Sequence, residues 1–409
     1  MQQTFSSVAK AMDGKFSRAT MVPPFGTLLI GIALLGFAAH VSAQTGTVIA
    51  WGDNRIGQSS VPQGLTNVVA ISAGEWHSVA LKADGTVATW GLYHPAPSDL
   101  TNVVVIAAAG FHNLALRADG TVTAWGQNDH GQTNVPAGLS NVVAITGGWT
   151  HSLALKADGT VAGWGRNSEG QATPPGGLTN VIAIDSGEYH NLALKADGTV
   201  VAWGWNGVGQ TDVPPGLSNV VAVNASGLHS LVLKADGTVT AWGFNDMGQA
   251  TVPAGLGNIV AVAGGLEHNL ALKSDGTVLG WGSNGAWANG ECQFIGNTNC
   301  VREPAGQIDI PPGLSNVVAI AAGNFHSMAL KIEGTSLPPV LLFNPMLVET
   351  TFTCTANTQS GRVYALEHTD SLLAPNWTSL PSVPGIGGAQ VFTDTAAGAD
   401  ERFYRLRSW

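Results

Sequence analysis

The phrase HSLALKADGTVAGWG, His151 to Gly165, recurs in close copies along most of this 409-residue chain. Seven copies carry a histidine, at His77, His112, His151, His190, His229, His268 and His326. In the first six a Trp-Gly pair follows thirteen residues later, at Trp90, Trp125, Trp164, Trp203, Trp242 and Trp281. A unit this short cannot bury an apolar face alone, so the stacking of neighbouring units decides the fold. Within one unit Leu153, Leu155 and Val161 alternate as two strands do, and Asp158-Gly159 supplies the positive-φ turn between them. The apolar run Asn141 to Ile145 reads as a buried third strand, and the turn-rich Asn167 to Pro175 leaves room for only a short fourth. Several strands per 39-residue unit, seven times over, predict an all-β, seven-bladed β-propeller.

The seventh unit is incomplete. After His326 the hairpin runs from Ser327 to Gly334 with no Trp-Gly behind it, and the missing half stands at the other end of the chain as Thr47 to Gly52. Seven histidine halves and seven Trp-Gly halves balance only if the N-terminal strand completes the last blade. That closure leaves no open sheet edge between the chain ends.

The pattern G-x-x-H-S-L-A-L-K-x-D-G-x-V-x-x-W-G-x-N-x-x-G-Q resembles the repeat of the regulator of chromosome condensation family, over about residues 44 to 336. The short period, with Val-Pro after Gly-Gln (Val61-Pro62, Val135-Pro136, Val252-Pro253), is similar to the secreted bacterial β-lactamase inhibitors built on that repeat. The resemblance implies the propeller and, through those inhibitors, a contact surface of loop aromatics on one face. It does not imply one activity, because such rings are scaffolds for unrelated tasks.

Outside the ring, residues 1–43 read as a signal peptide: Lys10, Lys15 and Arg18 precede an apolar Phe25 to Ala39, and Val41-Ser42-Ala43 offers a small-residue cleavage site. The apolar run is short for a membrane span, so the mature chain is expected to be exported, without a stable span. Removing that segment takes three of 17 basic and one of 27 acidic residues, leaving a net charge of −12. Half of the remaining basic residues are one repeat position (Lys82, Arg117, Lys156 and equivalents), spread around the ring. No basic patch is left over, which argues against a nucleic-acid partner. One blade carries an insertion over about 285–308 that holds Cys292 and Cys300, read in an exported protein as a disulfide. After Leu337-Pro338-Pro339 the period stops, and residues 337–409 are expected to form a small β-sandwich-like module, with strands at Val348 to Thr355, Arg362 to His368, Ala389 to Thr393 and Phe403 to Arg407.

The seven histidines invite a metal or catalytic reading, yet each occupies the same place in its unit, where a propeller needs an identical bond between neighbouring blades. No metal site, cofactor or catalytic residue is assigned. The carboxylates Asp53, Glu75, Asp185, Glu188 and Glu267 are scattered one or two per blade, although a ring could bring two together at its mouth. Positions that vary between blades are more informative. Trp76 precedes its histidine where other blades have Phe111, Thr150, Tyr189, Leu228, Glu267 and Phe325, and Trp205 follows a Trp-Gly pair where the next blade has Phe244. Together with Trp149, the residues Trp76, Phe111, Tyr189, Trp205, Phe244 and Phe325 are the candidate binding residues, since tryptophan and tyrosine dominate protein interfaces. The expected function is an exported, non-enzymatic scaffold that binds a protein partner, as inhibitor or adhesin. Carbohydrate binding or polysaccharide chemistry is the alternative, because aromatics beside carboxylates also suit sugars.

Overall fold

The computed structural model describes residues 46–92, 95–287 and 302–332, and strand segments between 342 and 408. Each repeat unit forms one antiparallel three-stranded sheet. In the third blade the strands are Val142–Gly147, His151–Lys156 and Val161–Gly165, from the channel outward. The turn between the last two is built as the Asp-Gly pair dictates. Gly159 takes φ 75°, and Asp158 Oδ1 accepts from both the amide and the hydroxyl of Thr160. The residue before each inner strand, Asn141 here, also sits at positive φ, and its carbonyl accepts from the Ala157 amide across the hairpin. Asparagine tolerates this region where most residues do not.

Among the described residues the expected fourth strand does not form, and the ring shows seven three-stranded sheets. Between blades the turn backbone is satisfied by side chains instead of a ladder. Asn167 Oδ1 accepts from the Ala172 amide and its Nδ2 donates to Thr173, while Gln171 Oε1 accepts from the Glu169 amide.

Ring closure by the N-terminal strand rests on three independent features. Thr47–Gly52 pairs with His326–Lys331, placing Trp51 opposite Ser327 and Gly52 opposite His326, the register that Trp164 and Gly165 keep with Ser152 and His151. The core repeats the closure. In each blade the two large apolar residues of the middle strand pack on a small apolar residue and the tryptophan of the next, as Leu153 and Leu155 do on Ala193 and Trp203, and Leu192 and Leu194 on Val232 and Trp242. Leu270 and Leu272 meet Ala329 and Trp51 in the same way, and Met328 and Leu330 meet Ala80 and Trp90. Each fully buried leucine contributes about 2 kcal/mol.

The third feature is a circuit of histidine bonds. Each imidazole Nε2 reaches the serine or asparagine after the histidine of the next blade: His77 to Asn113 at 2.8 Å, His112 to Ser152 at 2.8 Å, His151 to Asn191 at 2.7 Å, and His190 to Ser230 at 2.9 Å. His229 to Asn269 at 2.7 Å, His268 to Ser327 at 3.0 Å and His326 to Ser78 at 2.9 Å complete it. Burial holds His151 and His229 down to about 4 and His190, His268 and His326 to about 3, so these rings are neutral structural links.

At the insertion, Gly285–Trp287 pairs with Arg302–Pro304, whereas Cys292 and Cys300 lie outside the described residues, as does the expected signal peptide. In the C-terminal part, Leu342–Val348, Thr351–Asn357 and Ala389–Asp394 form one sheet. Val363–Thr369 pairs with Thr378–Ser379, Val383–Pro384 and Phe403–Ser408 in another. Of the strand expected from Val348 to Thr355, the part from Thr351 belongs to Thr351–Asn357, whereas Val348 ends the preceding strand, which pairs antiparallel with it. Among the described residues no helix is long and apolar enough to cross a membrane.

Candidate functional site

The two ends of every hairpin differ in chemistry. The Asp-Gly turns occupy one face of the ring; the residues before each histidine and after each Trp-Gly pair occupy the other. On that second face a backbone bond locks the two variable positions of each blade together. The Trp205 amide donates to the Tyr189 carbonyl, Phe244 to Leu228, Leu92 to Trp76, and Asp53 to Phe325. Aromatic side chains at these positions therefore share one face because the repeat places them there.

Four of the seven candidate residues form one continuous arc. Ring centroids of Phe111 and Trp149 are 6.4 Å apart, those of Trp149 and Tyr189 5.2 Å in an edge contact, and those of Tyr189 and Trp205 6.3 Å. All four side chains are half-buried. The Arg166 guanidinium lies 5.6 Å from the Tyr189 ring centroid and extends the arc by a cation–π contact. Trp149 is placed by its neighbours. Gly110 has no side chain, and a Cβ there would lie 2.5 Å from Trp149 Cδ1, so the indole leans across the second blade. Its Nε1 then donates to Glu75 Oε2 of the first blade at 2.8 Å.

The other three candidates stand apart from the arc. Trp76 pairs with Phe325 at 5.8 Å and lies under Arg55, whose guanidinium is 5.6 Å from its ring and is held by Asp53 at 2.8 Å. Phe325 is 1% exposed, so the expectation that it contacts a partner is corrected. Leu266 and Ala286 cover it, the latter in the Gly285–Trp287 strand at the root of the insertion. Phe244 is half-buried, next along the ring after Trp205.

The arc borders an axial cavity of about 310 Å3 lined mostly by alanine and glycine. Its polar side comes from three consecutive blades. Asp185 accepts from Thr146 Oγ1 at 3.0 Å, Asn224 Nδ2 at 2.7 Å and the Ala225 amide at 3.0 Å, yet burial still raises its carboxyl to about 6. At the mouth the ring brings together carboxylates that the sequence scatters. Glu188 is pushed up to about 8, first by burial and then by the charges of Glu75 and Glu267. The same burial, with Glu188 beside it, pushes the Tyr189 hydroxyl well above its ordinary range. Sequence reasoning singled out these acids without grouping them. The signal was their place: Glu75 and Glu188 stand two residues before a repeat histidine and Glu267 one before, so all three belong to mouth-side turns. Among the described residues no group of three or more histidine, cysteine, aspartate or glutamate side chains is arranged to hold a metal ion.

Comparison with known proteins agrees with this geometry. The family model described as "Regulator of chromosome condensation (RCC1) repeat" matches residues 68–92, 103–132, 142–171, 181–210, 220–249 and 259–286. Among solved structures the chain is similar to Prp20p of Saccharomyces cerevisiae, at 21% identity and TM-score 0.58, over 72% of this chain and 93% of that one. It is also similar to human WBSCR16, at 19% identity and TM-score 0.53, over 71% and 100% of the two chains. The ectodomain of the Physcomitrella patens receptor kinase CR4 matches at 21% identity and TM-score 0.50, over 69% and 78%. No curated protein matches the chain. At these identities the likeness is one of fold, and the repeat-bearing part of this chain is a β-propeller built from regulator of chromosome condensation repeats.

Proposed function

We propose that this chain is an exported, non-enzymatic binding scaffold that holds a protein partner against the arc Phe111–Trp149–Tyr189–Trp205. The observation that carries the reading is the continuity of those four rings at positions the repeat leaves free to vary. Rigid half-buried aromatics on one face supply large contact area at small entropic cost, which is how interface anchors work. Propellers of this repeat are used for protein binding, and yeast Prp20 is known with Kap60 bound. Export follows from the composition of residues 1–43. The carboxylates beside Trp149 favour carbohydrate as the second reading.

Affinity capture with residues 44–409 against extracellular proteins and a panel of β-lactamases tests this reading, alongside a Trp149→Ala/Tyr189→Ala/Trp205→Ala variant. A partner retained by the parent chain and lost by a variant of unchanged circular dichroism supports it. Capture that the variant retains, or glycan binding with no protein captured, refutes it.

A further inference from the structure

The mouth-side turns share the pattern Asn-x-x-Gly-Gln, and in the fourth blade the residue after the asparagine is itself a glycine, Gly207. A Cβ at Gly207 would collide with Cζ2, Cε2 and Cη2 of Trp205, so the benzo ring of that indole lies directly on the glycine. The last ring of the aromatic arc needs the glycine, and the turn needs the asparagine, whose side chain caps it. Asn206 and Gly207 are both exposed, and the Gly207 amide has no hydrogen-bond partner among the described residues. The side chain beside that free amide is held in place. Asn206 Oδ1 accepts from the Thr211 amide at 2.9 Å, and its Nδ2 donates to Asp212 Oδ1 at 2.7 Å. A second Asn-Gly pair, Asn284-Gly285, has the same side-chain pattern, with the Ile308 amide at 3.1 Å and Asp309 at 2.9 Å. Its backbone differs. The Gly285 amide donates to Ser283 Oγ, the strand Gly285–Trp287 pairs with Arg302–Pro304, and the Asn284 carbonyl accepts from the Ala305 and Gly306 amides. Asn289-Gly290 lies outside the described residues.

We propose that Asn206 is a site of spontaneous deamidation, through attack of the Gly207 amide nitrogen on the Asn206 side-chain carbonyl, and that this modification releases Trp205 from the end of the arc. Solvent base removes the amide proton, and the bond from Gly207 N to Asn206 Cγ forms. The Thr211 amide donates to the oxygen on which negative charge develops. The Cγ–Nδ2 bond then breaks, and ammonia leaves with a proton from solvent, closing a cyclic succinimide. Water opens that ring at either carbonyl, giving aspartate, or isoaspartate whose main chain runs through the former side chain. Nothing is oxidised or reduced, and the co-reactant is water.

Both products disturb the turn. In the third and fifth blades the asparagine amide faces a neutral hydroxyl, Thr173 and Thr251. Asn206 faces a carboxylate, so its product sets a second negative charge where the amide had donated to Asp212, and repulsion replaces a hydrogen bond. Isoaspartate also lengthens the main chain by a methylene immediately before Gly207, which moves the glycine from beneath the indole. The modification itself needs no partner; its effect on capture rests on the arc being the contact surface, as proposed above.

The test is peptide mapping by mass spectrometry of the mature chain, residues 44–409, aged at pH 8 and 37 °C either folded or unfolded in guanidinium chloride. In the unfolded chain the pairs at 206 and 284 are chemically alike and should deamidate at similar rates. In the folded chain Asn206 should react at least about tenfold faster than Asn284, the factor set by having to break one backbone hydrogen bond. Electron-transfer fragmentation should find aspartate and isoaspartate together at position 206, the mark of a succinimide. Hydroxyl-radical footprinting of the aged, folded fraction should then show more oxidation at Trp205 and no increase at the buried Trp203. Deamidation at Asn206 no faster than at Asn284 in the folded chain overturns the site, as does aspartate without isoaspartate at 206. Trp205 oxidation that the modification leaves unchanged overturns the release of the ring.

Discussion

Replacing Glu188 by glutamine should stabilise the ring, increasingly so as pH rises. The carboxyl is raised from 4.5 in the unfolded chain to about 8 in the folded one, so ionising it costs folding free energy at every pH above 4.5. Glutamine has the same shape and removes the charge, leaving no cavity. Integrating the shift, the advantage of the variant is near zero at pH 4 and at most about 3 kcal/mol at pH 7 and about 5 kcal/mol at pH 9, because solvent reaches the half-buried side chain and lowers both. For a domain of this size that is a gain in Tm of at most roughly 6 °C at pH 7. Differential scanning calorimetry of both proteins at pH 5, 7 and 9 reads it directly. Glu75→Gln tests the cause: it removes one of the two charges acting on Glu188, keeps an acceptor for Trp149 Nε1, and should narrow the gap without closing it. Parallel pH–Tm curves for parent and Glu188→Gln would refute the reasoning.

Acid should loosen the histidine circuit. Five of its rings are held at about 3 to 4, against 6.5 unfolded, so stability is complete above pH 6.5 and falls as pH drops toward the folded values. The loss is about 2 kcal/mol per ring by pH 5, and urea titrations in the Glu188→Gln background isolate it from the opposing carboxyl. Trp51→Ala, which empties the closing strand's anchor on Leu270 and Leu272 and removes the bond to the Gln307 carbonyl, should cost about 3–5 kcal/mol by denaturant unfolding. Gly148→Ala places a Cβ inside van der Waals contact of the His151 ring and the Gly187 carbonyl of the next blade, and should lower Tm by an amount equivalent to about 1–3 kcal/mol.

Most of the ring was legible because a repeat restates its rules from unit to unit. The Leu-x-Leu alternation, the Asp-Gly turns and the split seventh unit each carry a local physical requirement, and all three appear in the structure. The expected fourth strand is absent from the described residues because Asn167 and Gln171 satisfy the turn backbone with their own side chains, a choice that apolar periodicity does not record. In the site, the shared face of Phe111, Trp149, Tyr189 and Trp205 follows from their place before a histidine or after a Trp-Gly pair. Phe325 has the same address but a different fate, since the insertion root that buries it is distant in sequence. The gathering of Glu75, Glu188 and Glu267 depends on ring curvature, which one unit does not encode. Trp149 reaching over Gly110 to Glu75 links residues 74 positions apart through a missing side chain.

The most direct test of the mouth face as the working surface is site-specific photo-crosslinking of the full chain with its captured partner. Benzoylphenylalanine is placed at Trp205 on the mouth face, and separately at Asp158 on the Asp-Gly face. A covalent adduct formed from position 205 and absent from position 158 is the predicted result. An adduct from position 158, with none from position 205, would place the partner on the wrong side of the ring and contradict the reading.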